Sequence, residues 1–336
     1  MRKLPSNRRI VIRLATFVLV LFFSICINFF LPRLLPGNPV QAMLARLANM
    51  GELEGRQELV EFYTKVFAME GTMLDQFVAY IIQLLQGNLG FSFASFPATV
   101  SHVISLALPY TLFLMLTSVI ISWVLGTVIG GIVGWKAEKS KWSIPLTAGS
   151  VLFSNMPYFI IGLIFLFIFA YTLRLIPIQG AYSPTIIPGF NLKFILDFLH
   201  HAIGPISVIV ISQLSMWFLH MRALIVDVKH EDFILYGEAK GIEDRRMLLS
   251  YAIRNCLLPQ VTQLGMSLGF IFSGSLLAEV VFAYPGMGKL LLFSILGLDY
   301  PVIMGVILLV ILAINTILLL LDLIILPIID PRIAEQ

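Results

Sequence analysis

Several short clusters carry residue types that do chemistry elsewhere, and each fails on spacing. Pro285-Gly-Met-Gly-Lys289 has the glycines and lysine of a phosphate loop. It lacks the Gly-x4-Gly-Lys interval, and Leu290 stands where a magnesium-holding Ser or Thr is required. His230-Glu231 has no second histidine four residues after the first, so the helical zinc-protease pair is incomplete. His200 and His201 are adjacent, and neighbouring side chains leave a helix in different directions. They read as an interfacial or bundle-facing pair rather than metal ligands. Ser273-Gly-Ser275 lacks the glycine that closes a nucleophile elbow, and no base is placed near it. Glu279 and Asp322 are acids within apolar runs, where a mid-bilayer charge costs about 2.5–3.5 kcal/mol. For both, hydrogen bonds within a bundle and contacts to a polar ligand remain open.

The elements around these clusters are spans of a membrane. Of 336 residues, 59% are apolar and 12% charged, which excludes an ordinary soluble domain. Several segments exceed the roughly 20 apolar residues that cross a bilayer. The two cysteines, Cys26 and Cys256, lie far apart and exclude a disulfide scaffold. A basic start, MRKLPSNRR, precedes a long apolar run with no small-residue cleavage pattern, so a retained first span is expected. Hydropathy places spans near 10–31, 102–135, 144–175 (interrupted by Pro157), 200–225, 261–282 and 301–326. Residues 34–100 form a long outer loop. In it, Thr72 is a candidate N-cap for an amphipathic helix carrying Phe77, Ile81, Leu84 and Leu85, stopped by Gly87. Gly126, Gly130 and Gly134 mark one close-packing helix face, and Gly265, Gly269 and Ser273 another. Segment 136–141 is a basic turn flanked by Trp135 and Trp142, read as interfacial. Segments 176–198 and 283–300 read as outer loops. Lys and Arg gather at 2–13, 136–141 and 222–254. The positive-inside rule then favours six spans with both termini cytoplasmic: an all-α integral membrane protein forming a single domain, 1–336.

The most polar stretch, 226–260, lies between two apolar runs. Phe233, Tyr236, Ala239 and Lys240 recur at helical spacing, predicting a short amphipathic helix that Gly241 interrupts. A second short helix is expected over 244–255, with Arg245 and Arg246 beside Leu248, Leu249, Ala252 and Ile253. Pro259 is expected to open the next span.

Glu238-Ala239, then Gly241, then Leu257-Leu258-Pro259 resemble the Glu-Ala-Ala loop of ABC importer permeases. Further patches resemble the oligopeptide/dipeptide permeases in particular: Leu35-Pro-Gly-Asn-Pro-Val40, Gly87-Asn-Leu-Gly-Phe-Ser92, Glu279-Val-Val-Phe282, Tyr284-Pro-Gly-Met-Gly288, Asp299-Tyr-Pro301 and Asp330-Pro-Arg-Ile333. They run over nearly the whole chain in the family's order. Lys240 replaces the second alanine of the general loop, as this subfamily does. Asn38 and Asn88 stand where aspartate is expected, which argues against a carboxylate role there.

The resemblance implies a prokaryotic plasma-membrane permease subunit working by ATP-driven alternating access on peptides. Oligosaccharides or nickel are the alternatives within the family. It implies a cytoplasmic coupling loop, 226–259, with Phe233, Tyr236, Gly237, Glu238, Ala239, Lys240, Gly241, Leu258 and Pro259 at the ATPase contact. The implied partners are a second homologous permease, two cytoplasmic ATPase subunits, an extracytoplasmic substrate-binding protein and membrane lipid, with no nucleic acid. No cofactor or metal is expected on this chain; ATP and Mg belong to the ATPase subunits. An intramembrane hydrolase lacks a nucleophile–base pair here, and a secondary transporter does not explain the loop.

Overall fold

The computed structural model describes residues 7–34, 71–137, 141–320 and 322–323. The signatures at 35–40 and 330–333, Asn38, and the side chains of 266–274 (with Gly269 and Ser273) lie outside the described residues. Among those described, the regular structure is helical apart from one isolated bridge, Phe91 to Thr99. Among the described residues, four helices are long and apolar enough to cross a bilayer: α1 (Asn7–Leu34), α3 (Val100–Trp135), α6 (Leu192–Val228) and α11 (Tyr300–Leu320). The expected span at 144–175 departs from a straight rod. Helix α4 (Ser143–Asn155) meets α5 (Tyr158–Phe165) and a π-helical turn (Leu166–Thr172) at a 107° bend. Pro157 sits at that break, and the residue before a proline is pushed out of helical conformation. Met156 accordingly adopts ψ 131°.

Two compact units make up the chain. In the unit built on residues 110–285, α3 packs on α6 through its glycines. A Cβ on Gly126 would lie 2.4 Å from the Trp217 Cβ, and one on Gly130 would lie 2.5 Å from the Phe218 carbonyl oxygen. At Gly134 the obstruction is the Arg222 carbonyl, at 2.9 Å. Only a missing side chain lets backbones approach this closely. Helix α6 starts earlier than the expected outer loop allowed, because the Asn191 side chain caps it by accepting from the Phe194 N–H. Its 37 residues extend about 55 Å at 1.5 Å each, well beyond a hydrocarbon core of about 30 Å.

The second unit holds 11–109 and 286–316. Helix α2 (Met73–Leu85) begins with a full capping box in which Thr72 and Asp75 satisfy each other's backbone donors. Those hydrogen bonds from Thr72 hold the Asp75 carboxyl below the usual range. Phe77 of α2 stacks on Phe30 of α1, and α1 is pinned further by the Asn28 side chain donating to the Met304 carbonyl at 2.8 Å. The supposed short outer loop at 283–300 contains a helix, α10 (Met287–Leu296), whose Met287 is buried with Val100, Ile104 and Val302. Ten residues are too few to register as a span.

Two of the sequence signatures meet in this unit. The buried Asp299 carboxylate accepts from the Ser92 hydroxyl and from the N–H groups of Phe93 and Ala94, both at 3.0 Å. Asn88, at the position expected to be aspartate, instead caps its own loop by accepting from the Gly90 N–H at 2.9 Å. Replacing Asp299 by alanine strands these buried donors. A loss of about 1–3 kcal/mol is expected, read as a lower thermal unfolding midpoint, while Asn88→Ala, on an exposed loop, changes it little.

Candidate cytoplasmic coupling site

Helix α7 (Asp232–Ala239) presents its residues in two directions. Ile234 and Gly237 are buried, while Phe233 (39% exposed), Leu235 and Tyr236 (63%) face outward. The apolar residues that mark this helix in the sequence are therefore the exposed ones, and the anchor is Ile234. It sits in a core with Trp135 of α3, Met221 and Ile225 of α6, and Met247, Leu248, Ala252 and Cys256 from the segment that follows. Gly237 makes room: a Cβ there would fall 2.1 Å from the Met247 methyl carbon. Outside, the Lys240 ammonium lies 4.4 Å from the Tyr236 ring centroid, a cation–π contact.

The end of α7 is a Schellman cap. The Ile242 N–H donates to the Gly237 carbonyl at 3.2 Å and the Gly241 N–H to the Glu238 carbonyl at 2.9 Å. Gly241 has φ +72°, the left-handed conformation that this cap requires. A Cβ at Gly241 would meet nothing within 4 Å, so crowding within the chain is not what demands glycine there. Gly241→Val should weaken the cap by about 1–2 kcal/mol, whereas Gly241→Asn should preserve most of it. Amide hydrogen exchange across 237–242 reads the difference directly.

Beyond the cap, the expected separate helix at 244–255 is not separate. Helix α8 (Asp244–Arg246) passes through a π-helical segment (Met247–Ala252) into α9 (Ile253–Val281) without a break. Pro259 lies inside α9 rather than at its start, and Leu258 and Pro259 are partly buried. Leu248 and Ala252 point into the core and Leu249 outward. Trp135, read from the sequence as interfacial, is 4% exposed and donates its indole N–H to Asp244 at 2.8 Å; Trp142 is the exposed one. Trp135, Asp244, Ile234 and Met247 thus position the loop; the tryptophan and Asp244 stood out in the sequence, whereas Ile234 and Met247 did not. One apolar core joins α7 to three long helices.

The remaining candidates lie elsewhere. Glu279 is fully buried near the end of α9, and Asp322 is partly buried beyond α11. The His200 ring nitrogen Nε2 is 3.0 Å from the Leu175 carbonyl and the His201 Nδ1 is 2.9 Å from that of Asp197, so each ring has its own backbone partner. Met287 of the glycine-rich 285–289 segment is part of the second unit's core.

Residues 126–335, which contain the whole of this loop, match the family of binding-protein-dependent transport system inner membrane components. The chain belongs to that family. Relatives extend the likeness toward the N-terminus. The oligopeptide transport system permease protein AppB of Bacillus subtilis (strain 168) is 29% identical over 83% of this chain and 84% of its own. The di/tripeptide transport system permease protein DppB of Pseudomonas aeruginosa (strain UCBPP-PA14) is 30% identical over 89% and 90%. The glutathione transport system permease protein GsiC of Escherichia coli (strain K12) is 29% identical over 88% and 89%. This permease is accordingly an all-α integral membrane subunit of an ABC importer, resident in the bacterial inner membrane.

Within the permease, Cys256 is a poor handle for topology. It is 1% exposed, and burial together with the nearby Asp227 charge pushes its thiol up to about 11. Raising a thiol pKa lowers its thiolate fraction, and the thiolate is the nucleophile. A membrane-impermeant thiol reagent should leave Cys256 unlabelled in the folded permease. Ala239→Cys, on the exposed end of α7, should label from the cytoplasmic side only.

Proposed function

We propose that this permease forms half of the translocation pathway for peptides, and that segment 226–259 couples it to ATP hydrolysis. The observation that carries the reading is the two-sidedness of α7. Phe233, Leu235 and Tyr236 stand exposed on a helix whose other side is locked into the bundle. An apolar helix face with a rigid backing suits insertion into a groove of a partner, and transmits rigid-body movement. Glu238, Ala239 and Lys240 are exposed beside that face. The partners are two cytoplasmic ATPase subunits, a second homologous permease and an extracytoplasmic substrate-binding protein. ATP and Mg sit on the ATPase subunits, and this chain carries out no covalent chemistry. Six spans with both termini inside, and an outer loop over 34–100, complete the topology.

Peptides are the favoured cargo because the similar permeases are named for oligopeptides, di/tripeptides and glutathione. Glu279 and Asp322 hold the bundle or border the pathway, and ligand choice rests chiefly with the binding protein. The test is ATPase activity of the reconstituted complex with its binding protein across dipeptides, longer peptides, oligosaccharides and nickel. Stimulation by peptides is expected. Stimulation by a sugar or nickel alone overturns the peptide assignment, and undiminished coupling after loss of the α7 face overturns the loop assignment.

A further inference from the structure

Helix α3 stops at Trp135 while α6 continues to Val228, and a cavity of about 320 Å³ opens beside their ends. Gly134, Ala137, Ala223 and Val226 give it an apolar floor, and Arg222, Asp227, Lys229 and His230 supply its charged or titratable side chains. Cationic groups thus outnumber the single acid. Arg222 lines the cavity, and its Nε is shielded from solvent with no hydrogen-bond partner. An anion in the cavity would sit beside the Arg222 guanidinium and the Lys229 ammonium, whose charges favour it. The cavity is also placed at a particular depth. About 20 residues of helix span the hydrocarbon, and Arg222 follows an apolar run of α6, so Arg222 to His230 occupy its boundary.

We propose that this cavity binds a phosphate-bearing anion, the source that fits its depth and apolar floor being the headgroup of an anionic inner-leaflet lipid. Basic pockets between helices at the cytoplasmic boundary hold such headgroups, and a guanidinium matches the geometry of a phosphate. The glycerol and first methylenes then cover Ala223 and Val226, which a free inorganic anion does not. Placing this end of α6 at the cytoplasm rests on the topology proposed above. The consequence is regulatory: the occupied cavity touches α6 directly before the turn into α7, so lipid binding stiffens the joint between span and coupling segment.

The complete transporter, reconstituted in equimolar phosphatidylcholine and phosphatidylglycerol and re-extracted in mild detergent, should retain phosphatidylglycerol in excess. Mass spectrometry of the retained lipid reads the ratio. Lys229→Gln should cut that excess about five-fold, the value of one cation at an anionic surface. Arg222→Gln should cut it at least as far, Arg222→Lys should restore part, and Lys193→Gln at the opposite end of α6 should leave it unchanged. Lys229 is the C-cap residue of α6 and is not among the atoms nearest Gly126, Gly130 and Gly134, so its variant keeps the test valid if Arg222→Gln does not fold. In pure phosphatidylcholine, inorganic phosphate raising the unfolding midpoint of the wild type, and not of Lys229→Gln, would support the same anion site with a soluble source. Retained lipid matching the bulk ratio, together with no phosphate effect, overturns the proposal. So does an excess that Lys229→Gln and Arg222→Gln leave intact. Co-purifying ATPase is measured in parallel: loss of ATPase from Lys229→Gln with the lipid excess unchanged assigns these residues to docking and overturns the lipid site. An impermeant reagent reaching Ala239→Cys only from outside would instead sink the topology.

Discussion

Gly130→Leu should prevent the permease from reaching its folded state in useful yield. The first atom of any side chain at 130 would lie 2.5 Å from the Phe218 carbonyl oxygen and 3.1 Å from the Phe218 Cα and Met221 Cβ. Two of those are backbone atoms of α6, which have no rotamer to move into. The helices must separate, and overpacking of this kind costs about 3 kcal/mol or more when the neighbour cannot yield. The damage spreads, because the same seam leads to Trp135 and the core beneath α7. Gly126→Leu should behave alike, with the Trp217 Cβ at 2.4 Å and the Leu214 carbonyl at 3.0 Å. Gly149→Leu is the matched control, since a Cβ there meets nothing within 4 Å. Thermal unfolding in detergent, with the folded fraction from size-exclusion chromatography, separates the two classes. A Gly130→Leu protein that melts with the wild type would show that α3 and α6 are not in this contact.

Joint replacement of Phe233 and Tyr236 by alanine should leave the permease folded and detach it from its ATPase subunits. Both side chains project from α7 and belong to none of the buried core around Ile234. Their removal therefore costs little within this chain. Aromatic anchors in a partner's groove each contribute about 2–4 kcal/mol, so affinity should fall about 30-fold to 1,000-fold per anchor. Ile234→Ala should do the reverse first: its fully buried side chain supports the core, and about 2–5 kcal/mol of stability goes with it. Titrating purified ATPase subunits onto the reconstituted permease, beside an unfolding curve for each variant, distinguishes face from anchor. Unchanged ATPase affinity in the Phe233/Tyr236 double variant would remove α7 from the coupling role.

Much of the permease is legible in its residues because a bilayer enforces simple rules. Runs of apolar residues as long as α1, α3, α6 and α11 have no other stable home, since backbone groups in lipid must be satisfied within the segment. Thr72 followed by Asp75 specifies a helix start whatever surrounds it, and the glycines at 126, 130 and 134 announce a close approach without naming its partner. The loop signature around Glu238 and Gly241 is equally local, since the Schellman cap needs only a residue that accepts positive φ.

What required the tertiary structure is direction and continuity. Hydropathy cannot tell that 143–172 bends through 107°, because both halves are apolar and Pro157 permits either a kink or a break. Pro259 reads as a helix start, yet it is absorbed inside α9, where packing maintains a helix that local preference would end. Helix α10 is too short to register as a span, and only burial of Met287 against Val100 and Val302 reveals why it forms. Asp299 and Ser92 are far apart in sequence, and their hydrogen bond exists only once α3, α10 and α11 are assembled. The same limit governs the proposed coupling segment. Sequence spacing marks Phe233 and Tyr236 as apolar, but apolar character is shared by anchors and docking surfaces. Ile234 became the anchor because Met247 and the α3 and α6 ends close around it, leaving its neighbours in the open, and that choice is made by contacts distant in the chain.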